Sequence, residues 1–163
     1  MKTLNKVLLT VPFLSALSVV SMSSYAASET FEASIKLIQD ITITEVASLR
    51  FPQQVAGTAQ TVVVAPADSG AAQFSATGEA LAAATATIAE ASIEMTTGDG
   101  VGSTKRITVN SFTLGGNLAA DGTVAFAADG TISNMRVGGS AVIEADDIAG
   151  DYTGTATFEL NYS

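Results

Sequence analysis

Runs of strictly alternating apolar and polar residues, cut by turn residues every few positions, constrain this chain more than any other feature. Phe31-Glu32-Ala33-Ser34-Ile35-Lys36-Leu37 alternates without a fault, and Ile41-Thr42-Ile43-Thr44-Glu45-Val46 does the same. Successive side chains of a strand point to opposite faces, so period two sets one face on a core and the other in water. Leu49-Arg50-Phe51 is a shorter piece stopped by Pro52, Thr61–Ala65 is a β-branched run ended by Pro66, and Gln73–Thr77 ends at Gly78. Arg106–Leu114 carries Ile107 and Val109 in phase and Phe112 out of phase, which predicts a bulge near Asn110-Ser111. Val124–Phe126 and Thr131–Met135 flank Asp129-Gly130, a hairpin-turn signal, and Asp121-Gly122 is a second one. Ser140–Glu144 and Tyr152–Tyr162 complete the set. Leu81–Met95 is Ala-rich, and Ala favours helix. Yet Thr85–Ile88 and Ala91–Met95 also alternate, so two strands are favoured there over one helix. The pattern predicts an all-β chain, an antiparallel sandwich of about 8–10 short strands.

Composition removes most catalytic chemistry. The 163 residues include no Cys, no His and no Trp. Disulfides, thiolate nucleophiles, His-ligated zinc and a Ser-His-Asp triad are therefore all excluded. With 7 basic and 16 acidic residues the net charge is −9, which repels phosphate and argues against nucleic acid as a partner. A hydrophobic fraction of 47% argues against disorder.

The N-terminus reads as a processing signal. Lys2 and Lys6 precede an apolar run over Val7–Val20, and Ser24-Tyr25-Ala26 supplies a small-x-small exit. A basic start, an apolar run of roughly 7–15 residues and such an exit is the layout of a secretory signal peptide. The run is shorter than the roughly 20 residues of a membrane span, and Pro12 interrupts it. Residues 1–26 are expected to be the signal peptide and 27–163 a single β-sandwich domain, found in the periplasm, at the cell surface or outside the cell. With Lys2 and Lys6 gone, five basic residues face 16 acidic ones, a net charge of −11.

Motifs for ligands are weak. Gly98-Asp99-Gly100-Val101-Gly102 before Ser103-Thr104-Lys105 lacks the Gly-Lys-Ser/Thr order of a phosphate loop, and no helix pattern follows. A hairpin tip is the better reading. Asp146, Asp147 and Asp151 form an acidic cluster whose spacing differs from a helix–loop–helix calcium site, so a solvated loop is preferred. Carboxylate pairs for glycoside chemistry lack the aromatic cleft that sugars usually need. Lys105-Arg106 reads as a solvated basic pair. No metal, cofactor or catalytic residue is expected.

The two ends carry the informative pattern. The closing run places Tyr152, Gly154, Ala156, Phe158, Leu160 and Tyr162 on one face and Thr153, Thr155, Thr157, Glu159 and Asn161 on the other. Tyr162 is penultimate, and Gly150 is fourteenth from the end. This ending resembles the last strand of pilus subunits assembled by periplasmic chaperones and outer-membrane ushers, although the disulfide those subunits often carry is absent here. By that resemblance Gly150, Tyr152, Phe158, Leu160 and Tyr162 are candidates for the closing strand or a chaperone contact.

A second resemblance covers about Thr30–Tyr162. It rests on Leu49-Arg50-Phe51, Thr61–Pro66, Phe74–Gly78, Val137–Val142 and the Gly-x-Tyr-x-Gly ending of Gly150, Tyr152 and Gly154. These look like the bacterial domain-of-unknown-function family 4402, which implies an exported, immunoglobulin-like domain related to fimbrial subunits. A sandwich lacking one strand leaves open edges that invite pairing with another chain. Phe31, Ala33, Ile35 and Leu37 have the spacing of a donated strand, and equally of the domain's own first strand. A head-to-tail contact of the first kind does not close and gives a filament. The leading expectation is thus a non-enzymatic, fimbria-like subunit assembling by strand donation, with a chaperone and an usher as partners. The alternative is a monomeric extracellular binding module.

Overall fold

β8 is the strand on which the fold is built. The computed structural model describes residues 28–163, so the expected signal peptide lies outside the described residues. Nine strands form within that range: β1 (Thr42–Ala47), β2 (Gln60–Val64), β3 (Ala72–Thr77), β4 (Ala83–Ile88), β5 (Ser92–Thr96), β6 (Arg106–Gly116), β7 (Thr123–Ala125), β8 (Thr131–Ile143) and β9 (Phe158–Tyr162). They make an immunoglobulin-like antiparallel β-sandwich without an α-helix among the described residues.

The larger sheet runs β1-β3-β8-β6-β5, with β2 also on β8. β3 pairs with the first half of β8, Thr131 to Val137, and β2 with the second, Gly139 to Ile143. Both therefore lie end to end along one side of β8, while β6 takes the other. Gly138 and Gly139 sit where one partner hands over to the next. A Cβ on Gly138 would run into the carbonyl oxygen of Val64, so the chain crosses there only with glycine. The smaller sheet is β7-β4-β9.

The main core lies between the sheets. Ala76, Ile132 and Met135 of the larger sheet meet Ala84, Ala86 and Leu160 of the smaller one, with Leu118 and Phe126 from the connections. Small alanines on β4 let the layers approach closely. A second cluster, Ile107, Val109 and Ala141, sits under the half of the larger sheet that loops rather than strands cover, beside Leu49, Phe51, Met95, Phe112, Ile143 and Tyr152.

Several sequence expectations hold in detail. Leu81–Met95 is two strands, β4 and β5. The register of β6 against β8 slips between Asn110 and Thr113, and Ser111 adopts φ 52°, which is the bulge that Phe112 predicted. Others need correction. Leu49–Phe51 is not a strand; Arg50 donates its amide to the Gly70 carbonyl (2.7 Å) from an irregular stretch. Asp121-Gly122 and Asp129-Gly130 do make tight turns, with Asp carboxylates accepting from the amides and hydroxyls of Thr123 and Thr131. Each turn is closed as a hairpin loop is, Ala127 N donating to Thr131 O (2.9 Å) and Ala119 N to Thr123 O (3.0 Å), but no ladder follows, because the flanking strands belong to different sheets. Thr131–Met135 and all of Ser140–Glu144 but its last residue are parts of one long β8. The closing strand is shorter than its alternation predicts: only Phe158–Tyr162 pairs continuously, with Thr153 making a lone bridge to Thr96. Residues 28–40 form no strand.

Candidate functional site

The sandwich is open along one flank, bounded by β1 and β9. β1 pairs only with β3, and β9 only with β4. Ser163 donates to Ala83 O (3.1 Å) and Ala89 to Thr157 O (3.0 Å) at the two ends of the β4–β9 ladder. Antiparallel pairing alternates, so the residues between these bonded positions in step with Phe158, Leu160 and Tyr162 turn their main-chain groups away from β4. The free edge of β9 thus presents an unused row of donors and acceptors, the feature that templates addition of another strand.

The free edge of β1 is on the same flank. The ring of Phe158 stacks on Phe74 of β3, the neighbour of β1, at 4.4 Å between centroids and 5° between planes. Ile43 stands opposite Ala76 and Glu45 opposite Phe74, so both lie on the core side of β1. Yet every residue of β1 is exposed, Ile43 at 36%. Nothing from the smaller sheet reaches far enough to cover this inner face.

Beyond β1 and ahead of β9 the same two chain segments wall a cleft. Residues 48–56 form one side and 147–154 the other, around a volume of about 720 Å³. Its floor is apolar: Val62 of β2, Met95 of β5, Ile107 of β6, Ala141 and Ile143 of β8. Tyr152 stands in the wall, its hydroxyl 2.8 Å from Ile148 O and 3.0 Å from Thr104 O. Burial, helped by the charge of Asp147, raises the pKa of this phenol above its ordinary value. It acts as a neutral donor that ties the wall together.

The residues singled out in the sequence divide cleanly. Phe158, Leu160 and Tyr162 share the inner face of β9, whereas Gly150 and Tyr152 belong to the cleft wall before that strand. Gly150 packs against Thr97. Phe31, Ala33, Ile35 and Leu37 are exposed, Phe31 at 91%, Ile35 at 85% and Leu37 at 84%. Asp147 is buried and its carboxylate accepts the Glu144 amide (2.8 Å), a turn-capping role. Among the described residues no three acidic groups stand together as a metal site, so Asp146, Asp147 and Asp151 do not converge. The glycine-rich stretch is the tip of the β5–β6 hairpin. Asp99 there accepts from Lys105 Nζ (2.7 Å) and the Val101 amide, which lower its pKa, the lysine bond most. Arg106 pairs with Glu94 across the hairpin (3.0 Å).

Sequence reasoning missed three things. Leu49 and Phe51 were legible as apolar, but they flank a cleft instead of pairing. The Phe74–Phe158 stack joins residues far apart in the chain. Tyr162 does more than pack, for its hydroxyl accepts the Glu79 amide and donates to the Gln39 carbonyl, both at 2.6 Å. A tyrosine in place of a phenylalanine on an inward face was the available signal.

Residues 41–162 match the model of a family described as Domain of unknown function (DUF4402). Neither a curated protein nor a solved structure matches the chain.

Proposed function

The chain belongs to the DUF4402 family, whose description assigns no activity, and from its own geometry we propose that it is an exported, non-enzymatic subunit of a fimbria-like surface filament. The carrying observation is a mismatch between two parts of the same chain. Phe31, Ile35 and Leu37 alternate with polar residues in a stretch that forms no strand and leaves them exposed. The sandwich meanwhile keeps two open edges over apolar side chains. Exposed apolar groups at strand spacing, beside unpaired edges, are complementary between copies. Phe31, Ala33, Ile35 and Leu37 of one subunit enter the open flank of the next, with their main chain along β9. The contact is head-to-tail and propagates. Residues 1–26 direct export and are removed by cleavage before Ala27. Before assembly the same flank takes a periplasmic chaperone, which hands the subunit to an outer-membrane usher, with Phe158, Leu160 and Tyr162 beside the incoming strand and Gly150 and Tyr152 at the far end of the flank.

The test uses the mature protein. Ile35→Asp sets an unpaired charge where an apolar side chain worth roughly 1.5–3 kcal/mol of burial belongs. Polymer is expected to disappear while the variant still unfolds cooperatively, and a synthetic peptide of residues 30–38 is expected to bind the variant domain. A wild type that stays monomeric at high concentration and ignores the peptide overturns the proposal. The cleft of about 720 Å³ favours a second reading in that event, a monomeric extracellular binding module whose ligand occupies the space between residues 48–56 and 147–154.

A further inference from the structure

A polar node joins the root of the N-terminal arm to the end of β9. Tyr162 Oη accepts the Glu79 amide and donates to Gln39 O, each at 2.6 Å. The Glu79 carboxylate in turn accepts the Gln39 amide at 3.3 Å and pairs with Lys36 Nζ at 2.9 Å. Both main-chain groups of Gln39 are therefore held, one by Tyr162 and one by Glu79. The ring of Tyr162 is itself fixed against Phe126, with centroids 5.7 Å apart, and Gly78 leaves the space for it. Core packing thus sets the hydroxyl, and the hydroxyl sets the arm root.

We infer that this node aims the arm at another subunit, an inference that rests on the strand-donation reading. The reason is chain direction. β9 runs toward Tyr162, and the arm runs toward Gln39, which is pinned at Tyr162. An arm that folded back beside its own β9 would have to lie parallel to it. An arm from a second copy carries no such restraint and can pair antiparallel, the arrangement already used throughout this sandwich and the more stable one per residue. Holding Gln39 therefore disfavours self-capping and leaves the open flank for a neighbour. The Tyr162 hydroxyl and the Glu79 carboxylate are positioning groups in this scheme: they act through Gln39, whereas it is the main chain of β9 that receives the donated strand.

Tyr162→Phe and Glu79→Ala test it, with Thr61→Ser on β2, which pairs with the far end of β8, as a distant control. Amide exchange at Gln39 and Glu79 is expected to rise about fivefold in the variants, the size that one lost hydrogen bond of about 1 kcal/mol gives. Global unfolding should shift little, since the Tyr162 ring contacts survive in the phenylalanine variant. Polymer yield from the mature protein is expected to fall, with self-capped monomer rising in its place. Unchanged exchange in both variants overturns the node itself. Faster exchange with wild-type polymer yield overturns the aiming role and leaves strand donation standing. A wild type that never polymerises and binds no arm peptide overturns strand donation, and the aiming role with it, whatever the exchange data show.

Discussion

At the scale of single residues, the chain invests its few polar contacts in turns and chain crossings. Gly78 is the clearest case. A Cβ there would lie 2.5 Å from the Tyr162 hydroxyl and 2.7 Å from the Phe126 ring. Gly78→Ala is expected to cost roughly 1–3 kcal/mol, as overpacked cores do, and a thermal melt will read it as a drop of several degrees. Carboxylates supply the second residue-level effect. Asp121 and Asp129 are held below the ordinary carboxylate range, Asp121 first by the Thr123 amide and Asp129 first by the Thr131 hydroxyl. Glu90 is lowered by the Thr157 amide and hydroxyl, and Glu79 by Lys36 and then the Gln39 amide. A pKa depressed by folding contributes stability that is present above the unfolded value, about 3.9–4.3, and is lost as pH falls through the lower folded value. The melting temperature is therefore expected to be flat near neutrality and to fall below about pH 4. Asp129→Asn should make that acid slope shallower while melting at nearly the wild-type temperature at pH 3. An acid slope identical to wild type would remove Asp129 from this account.

At the scale of elements, alternation carried most of the information. β1, β3 and β6 lie where alternation puts them and β2 where its β-branched run does, and the β6 bulge was legible because one phenylalanine broke phase. That bulge places Ser111 at φ 52°, a region costly for any residue with a Cβ and worst for a β-branched one. Ser111→Val is expected to lose roughly 1–2 kcal/mol in a denaturant titration, whereas Ser111→Gly should be neutral or slightly stabilising. Loss of equal size in both variants would mean that the hydroxyl, not the backbone, holds the bulge. Pairing was less legible than strand position. Asp-Gly fixes a tight turn from four residues of local chemistry, but which sheet the chain enters afterwards depends on distant partners. Asp121-Gly122 and Asp129-Gly130 therefore looked like hairpins and are crossings. Thr131–Met135 and Ser140–Glu144 read as separate runs, yet β8 continues through Gly138-Gly139, because the close approach of Val64 leaves no room for a side chain at Gly138. Over Tyr152–Thr157 alternation persists without a ladder. The side chains keep a period-two pattern while the backbone leaves the edge of β5 at Thr153 and reaches β4 only at Thr157.

At the scale of the whole molecule, the open flank was not legible, since it is defined by two sheet edges that no strand of the described residues covers. Phe31–Leu37 has the sequence of a strand, and nothing local tells a donated strand from a chain's own first one. What favours the donated reading is the unpaired edge of β9 and the exposed inner face of β1, both properties of two sheets together. Charge adds a consequence for assembly. Residues 30–38 carry Glu32 and Lys36, one of each sign, so the stretch that docks brings little net charge to a neighbour. The full chain has a net charge of −9, and −11 if residues 1–26 are removed as proposed, so two copies repel as they approach. Raising ionic strength from 0.01 to 0.15 M shortens the screening length from about 30 Å to about 8 Å. That range spans the distance over which two domains feel each other before the arm docks, while the apolar contacts of Phe31, Ile35 and Leu37 are little affected by such salt. Assembly followed by light scattering is therefore expected to speed up with added sodium chloride over this range, and an arm peptide binding to the Ile35→Asp domain should change much less. Slower assembly in salt would mean that the contact is held by ion pairs, and strand donation through apolar side chains would then be the wrong description of it.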